Sequence, residues 1–436
     1  MPDPLRRVVV TGVGAITPLG NSPKSLWDAL RSGRSGIARL TSLPTEPLPC
    51  CFGGEARDFT GHIDDFGPLE GSQKKSIRKG LKLMCREIQM GVAAAQLALA
   101  NAGLRLGDYD CERTGVVYGS DYIMSRPEEF AEGVRSCLDA NGQFQFDRWS
   151  QQGLAKVTPL WLLKYLPNMP ASHIAIYNDL RGPNNSITLR EASPNLALAE
   201  AYCTIRRGSA DRIVVGATGT RLHPLRTVHV ILQEEVATGS DDPTKLARPF
   251  DADRTGLVLG EGAGALIVEE LAVAESRGAK ILGEIIGYGS STVQERNGLA
   301  RGDLATENVL KQSLQRGALG VEQVGHIHAH GLGTRKSDAE EAQAIARIFS
   351  SRRQPVPVTA AKSYFGNLGA AAGMVEIIGS LMALKHDELF RTLNYEKPDP
   401  DCPIRVVRET TAPGDTFINL NLSPQGQASA IVMRRL

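Results

Sequence analysis

Arg181-Gly182-Pro183-Asn184-Asn185-Ser186-Ile187-Thr188-Leu189-Arg190-Glu191-Ala192-Ser193 reads as a strand, a sharp turn and the start of a helix. The strand is Asn185 to Leu189 and the helix Asn195 to Arg206. Such a passage presents one side chain at a helix N-terminus, and here that side chain is the carboxylate of Glu191. Pro357-Val358-Thr359-Ala360-Ala361 repeats the form, with a glycine-punctuated turn and a helix from Ala370 to Lys385.

Outward from these two stretches, strands are expected at Thr114–Tyr118, Arg212–Gly216 and Gly264–Glu269, with a helix at Ile88–Ala102. A second series holds strands at Ile281–Gly289, His326–His330, Phe417–Leu422 and Ala428–Met433, and helices at Asn308–Gln315 and Asp338–Ser350. The likeness of the two series implies an internal duplication, residues 1–270 and 271–436. Ala-rich helices with small residues all round are expected to be buried on every side, in a layered α/β/α/β/α fold. Val8-Val9-Val10 reads as a buried strand that turns tightly at Thr11-Gly12-Val13-Gly14. Gly12 and Gly14 invite a dinucleotide reading, but Thr17 stands where the third glycine belongs. The stretch from Pro44 to Gly71 reads as a long irregular surface segment.

Basic and acidic residues number 49 and 48, so no net charge directs the 436-residue chain to nucleic acid. No run of about 20 apolar residues predicts a membrane span. Met1 to Arg7 lead straight into the first strand without a signal-peptide pattern. The seven cysteines are irregularly spaced and form no CxxC pair, which suits a reduced, cytoplasmic setting. His326, His328 and His330 alternate along a strand with no acidic partner at ligand spacing, so neither a metal nor another cofactor is expected.

Six motifs then fall in order. They are Thr11-Gly12-Val13-Gly14-Ala15-Ile16-Thr17-Pro18-Leu19-Gly20, Arg181-Gly182-Pro183, and Arg248-Pro249-Phe250-Asp251 with Arg254-Thr255-Gly256. Leu259-Gly260-Glu261-Gly262-Ala263-Gly264, His328-Ala329-His330-Gly331-Leu332-Gly333-Thr334 and Lys362-Ser363-Tyr364-Phe365-Gly366-Asn367 complete the set. Together they resemble the elongating β-ketoacyl-acyl-carrier-protein synthases, polyketide ketosynthases and chain-length factors included. The resemblance implies a thiolase-like α/β fold of two five-layered halves, acting on acyl or malonyl thioesters of acyl carrier protein. It implies a homodimer, or a heterodimer with an intact ketosynthase. It also implies a Cys-His-His site with a nearby lysine. Carried over residue by residue, the cysteine position is Glu191, the histidines fall on His330 and Asn367, and the lysine is Lys362. Glu341 matches the family's acidic residue. Ser193, Thr334 and Ser423 are the substrate-binding candidates that it implies. Lys74, Lys75, Arg78 and Lys79 form a basic run that resembles a dock for the acidic carrier, or else a solvated helix face. The family's terminal glycine- and phenylalanine-rich loop is here Asn419-Leu420-Asn421-Leu422-Ser423-Pro424-Gln425-Gly426.

The chemistry at Glu191 is open in the sequence. A carboxylate that attacked a thioester would form a mixed anhydride, far uphill from thioester exchange, so condensation by the usual route is not expected. Neutral, Glu191 would donate a hydrogen bond, as a glutamine does. Ionised, it would repel a malonyl carboxylate. With His330 it could also do acid/base work beside a thioester carbonyl. Decarboxylation is then one reading, and a silent subunit paired with a working synthase is the other. Ser193 reads as a cap or backbone partner more than as a nucleophile. Lys362 either holds a carboxylate ligand or pairs with Glu341.

Overall fold

The computed structural model describes residues 6–46, 48–239 and 241–436. Residues 1–5 of the N-terminal reading, and position 47 within the 44–71 segment, lie outside the described residues.

Ten strands build the frame. In the first half they are β1 Val8–Ile16, β2 Thr114–Ser120, β3 Asn184–Thr188, β4 Arg212–Thr220 and β5 Glu261–Glu270. In the second they are β6 Gly283–Thr292, β7 His326–His328, β8 Pro357–Thr359, β9 Thr416–Leu422 and β10 Gln427–Arg434. The first five lie in the order β3-β2-β4-β5-β1 and the second five in the order β8-β7-β9-β10-β6. Parallel and antiparallel pairings match strand for strand between the two sets. β1 and β6 join the sets through an antiparallel pairing of Val8 with Ile285.

Helices α1 Pro23–Ser32, α2 Gly71–Gly80, α3 Arg86–Asn101, α4 Met169–Asn178, α5 Ser193–Arg206 and α6 Pro224–Gln233 belong to the first half. α7 Gly302–Arg316, α8 Arg335–Ile348 and α9 Ala372–His386 belong to the second. α5 and α9 touch strands of both sets, which places them in the middle layer. Every residue of α9 from Ala372 to Leu384 is buried. This is why its sequence is small and apolar all round. α3 covers the outer face of the first sheet and α7 that of the second. One apolar cluster surrounds the middle layer and reaches both sheets, and two others lie beneath the outer helices on either side. The result is a thiolase-like, layered α/β fold.

Three expectations are corrected. β1 does not turn at residues 11–14; it pairs with β5 as far as Ile16, with a bulge at Thr11. Gly12 and Gly14 serve packing instead. A Cβ would stand 2.5 Å from Ala98 O at Gly12 and 2.1 Å from Ala94 O at Gly14, so only glycine lets β1 approach α3 this closely. The 44–71 segment is also not a surface excursion. Ala56, Phe59, Ile63 and Phe66 are buried, and the rings of Phe59 and Phe66 meet at 6.0 Å. The expected strand His326–His330 stops at His328, which leaves His330 on the loop beyond its end.

Candidate functional site

β3 ends at Thr188, and the chain turns through Leu189 and Arg190 into a single 3-10 turn before α5. Arg190 has φ +51°, a left-handed conformation that costs a non-glycine residue energy and appears where a side chain must be aimed. Ser193 fastens this turn. Its Oγ accepts from Leu189 N at 2.7 Å and donates to Ser120 O at 2.9 Å. With both bonds made to backbone and no exposed surface, Ser193 is a structural hydroxyl rather than the substrate contact expected from the sequence.

The turn drives Glu191 inward to 1 % exposure. Its Oε1 accepts from Arg221 Nη2 in a short charged bond and from Asn367 Nδ2 at 3.1 Å. Arg190 Nε stands 3.4 Å from Oε2. Burial, the largest single influence, pushes this carboxyl up; Arg221 first, then Arg190, outweigh it and hold Glu191 well below the ordinary carboxylate range. Glu191 is therefore an anion.

Arg221 directly follows β4 and is one corner of a larger cluster. Its Nη1 donates to Asp121 Oδ2 at 3.2 Å, as does Arg226 Nη1 at 2.9 Å. Arg226 also lies over the ring of Tyr122, 4.2 Å from its centroid. Arg190 Nη2 donates to Glu234 Oε1 at 2.6 Å. Burial, then the charge of Glu191, push the Glu234 carboxyl up. The sequence reading named none of Asp121, Arg190, Arg221, Arg226 and Glu234 as site residues.

On the other side stands His330, two residues past β7. Its backbone N–H donates to Glu341 Oε1 at 2.6 Å, and Gly331 N donates to Oε2 at 2.9 Å. Burial pushes the Glu341 carboxyl up to about 8. The ring of His330 is held neutral, its pKa pushed well down by burial and by the charge of Lys362. Lys362 does not pair with Glu341. Its Nζ donates to Glu376 Oε1 at 2.5 Å and to His330 O at 2.7 Å, and lies 3.3 Å from His330 Nδ1. Glu376 Oε2 in turn accepts from Asn421 Nδ2 at 2.8 Å and Asn419 Nδ2 at 3.3 Å. The two asparagines of the last motif thus brace the lysine pair from β9. His326 Nε2 and His328 Nδ1 both meet Ser380 Oγ, at 3.2 and 2.9 Å, which gives these rings structural partners.

A cavity of about 190 Å³ brings together Glu191, His330, Thr334 and Ser423, with Glu234 and Glu235 in its wall. Lys362, Asn367 and Ser193 do not line it. Asn367 reaches it through Glu191 alone, and its Oδ1 is taken by Gly369 N at 3.0 Å. On α2, Lys75, Arg78 and Lys79 are exposed, whereas Lys74 pairs with Asp64 at 2.5 Å. Among the described residues no group of His, Cys, Asp and Glu could hold a metal ion, and no helix is long and apolar enough to cross a membrane.

Two family models match the chain: Beta-ketoacyl synthase, N-terminal domain, over residues 5–274, and Beta-ketoacyl synthase, C-terminal domain, over residues 282–396. A 3-oxoacyl-[acyl-carrier-protein] synthase 2 of Synechocystis sp. is 31% identical over 412 residues, covering 92% of this chain and 91% of its own. The protein of the same name from Coxiella burnetii is 32% identical over 405 residues, with the same coverage. A solved beta-ketoacyl synthase from Burkholderia phymatum superposes with TM-score 0.83 at 28% identity, over 99% of this chain and 100% of that one. The solved ishigamide ketosynthase/chain length factor superposes with TM-score 0.83 at 25% identity, with the same coverage. The chain belongs to the beta-ketoacyl synthase family.

Proposed function

We propose that this chain is a non-condensing member of the family, a chain-length-factor-like subunit that pairs with a synthase carrying the cysteine nucleophile. The observation that carries the reading is the buried Arg221–Glu191 ion pair. Glu191 holds the position that the resemblance gives to the cysteine. As an acyl acceptor it would have to leave Arg221 and Asn367 and then form a high-energy anhydride. Stripping one partner from a buried pair costs about 3–5 kcal/mol before any chemistry begins. The residues in and behind the pocket wall point the same way. His330 is neutral, Asn367 carries no charge, and the cation of Lys362 is committed to Glu376. An anionic Glu191, with Glu234 and Glu235 in the wall, would repel a malonyl carboxylate. The ishigamide structure is described as a ketosynthase paired with a chain length factor, which makes such a pairing the natural model. Lys75, Arg78 and Lys79 would then speed the encounter with an acidic acyl carrier protein more than they tighten it.

A second reading rests on one specific observation: His330 lines the same cavity as Glu191, so a malonyl thioester could be decarboxylated there without condensation. Incubation of the purified chain with malonyl-carrier, followed by mass spectrometry, separates the two. The subunit reading expects neither acetyl-carrier nor acylated protein. Sustained acetyl-carrier formation that disappears in His330→Ala would overturn it. The pairing has its own test, native mass spectrometry of the protein drawn from its own cells. A second family member bearing the cysteine is expected at one-to-one stoichiometry. Finding only copies of this chain refutes the heterodimer.

A further inference from the structure

A second cleft, of about 570 Å³, opens between the C-terminal end of α1, the segment around Thr244 and the stretch from Arg391 to Glu396. It shares no lining residue with the Glu191 cavity. Arg34, Lys245, Arg391 and Arg408 line it, against one carboxylate, Glu396. That carboxylate is engaged with Arg248 at 3.4 Å.

What distinguishes these cations is how they are held. Arg34 Nη2 donates to the backbone carbonyl of Leu19 at 3.1 Å, and Arg408 Nη2 to the carbonyl of Glu396 at 3.2 Å. Arg408 also lies over the Tyr395 ring, 5.0 Å from its centroid. The guanidinium of Arg391 has no hydrogen-bond or ion-pair partner among the described residues. It lies over Gly33, where a side chain would strike its Nη2. Lys245 reaches Asp242 only at 4.0 Å. Carbonyl and ring contacts fix Arg34 and Arg408 in direction but leave their charge uncompensated, in a protein whose other arginines so often meet carboxylates.

We propose that this cleft binds a diphosphate group, free or as part of a phosphate ester, independently of the Glu191 pocket. Planar guanidiniums offer paired N–H donors that match phosphate oxygens, and their charge needs no deprotonation to act. Three arginines with no carboxylate of their own line this cleft beside Lys245.

Isothermal titration of the full-length protein at fixed ionic strength tests this with pyrophosphate, ADP and sulfate as probes. One pyrophosphate per chain is expected, bound more tightly than sulfate. Arg391→Ala and Arg408→Ala should each weaken it about tenfold, as the loss of a charged hydrogen bond would. Arg353→Ala, at an exposed arginine outside the cleft, should leave it unchanged. Arg391 and Arg408 are exposed, so the variants should keep the parent's melting temperature. Tighter binding of ADP than of pyrophosphate would assign the site to a nucleotide, and equal binding to the bare diphosphate. Sulfate binding as tightly as pyrophosphate, no binding below about 1 mM, or binding untouched by both variants would each overturn the proposal.

Discussion

Glu191→Gln removes one charge and almost no volume, which makes it a clean test of the ionised carboxylate. Glu191 is 1 % exposed and Arg221 is fully buried. At about 4 Å and an effective dielectric constant near 20, a unit-charge pair is worth about 4 kcal/mol. Arg190, 3.4 Å from Oε2, adds attraction, while a neutral amide recovers part of the cost of burying the carboxylate. Glutamine keeps an oxygen for Arg221 and Asn367. The net loss is about 2–4 kcal/mol, below the full cost of stranding a buried partner. In a chain of this length each kcal/mol moves the melting temperature by roughly 1–2 °C, an extension of the size scaling for smaller domains. A drop of about 2–8 °C at pH 7 is expected by scanning calorimetry. The pH dependence carries the sign. A carboxyl whose folded-state pKa is depressed contributes stability that is complete above its unfolded pKa, near 4.3, and lost as pH falls through the folded value. The gap between wild type and variant should hold from about pH 5 to 8 and narrow only at more acid pH. Equal melting temperatures across pH 5 to 8 would mean that Glu191 is protonated in the fold, and the argument for a silent site would fall with it.

The remaining predictions concern separate contacts. His330 should stay neutral from pH 8 to 6, with unmoved ring nitrogen NMR shifts; because its folded pKa is depressed, the stability linked to it is lost as pH falls below about 6.5. A titration midpoint near 6.5 would contradict this. Glu376→Leu leaves Lys362 charged and buried and should cost about 3–5 kcal/mol in urea unfolding, whereas Lys362→Met with Glu376→Leu should recover much of it. Equal losses in the single and double variants would show that the pair is not coupled. Gly14→Ala puts a Cβ 2.1 Å from Ala94 O and must force β1 off α3, so poor solubility or a loss above about 3 kcal/mol is expected; a melt matching wild type would refute the close approach. Glu191→Cys should not gain condensing activity, because Asn367 still stands where the resemblance places the second histidine and Arg221 stays held by Asp121, and ketoacyl product in a carrier assay would refute that.

The parts of this site that could be read in the sequence were local. The turn at Glu191 follows from a strand pattern running straight into an Ala-rich helix, and His330 from a strand ending in glycines. Arg221, Asp121 and Arg226 come from the ends of different elements, with Asp121 about a hundred residues from the two arginines that it binds. No local period marks such a meeting. Glu376 was more accessible. It is the lone charge in an apolar helix buried from Ala372 to Leu384, and a carboxylate there requires a partner. The cation that meets it is Lys362. Glu341, the partner that the sequence offered for Lys362, has its oxygens taken by the His330 and Gly331 amides. In the same way Gly12 and Gly14 suggested a turn because glycine allows one. Here the reason for glycine lies in a helix some eighty residues away, and a single sequence does not show which face of a strand that helix will meet.

The two buried charge systems flank the cavity from opposite sides, and their accounting bears on function. Arg190, Arg221 and Arg226 face Glu191, Asp121 and Glu234, three against three. Lys362 faces Glu376, one against one. A catalyst of charge-separating chemistry keeps preorganised donors aimed at the place where charge will develop. Here the donors that border Glu191 are aimed at Glu191 itself. A ligand entering the pocket would find the guanidiniums already occupied and meet carboxylate oxygens first. Removing Glu191 alone does not reverse this, because Arg221 would remain held by Asp121 and directed away from the cavity. Glu191 is therefore one part of a buried cluster, and on the reading proposed above condensing chemistry at this turn would require Arg221 and Asp121 to be replaced along with it.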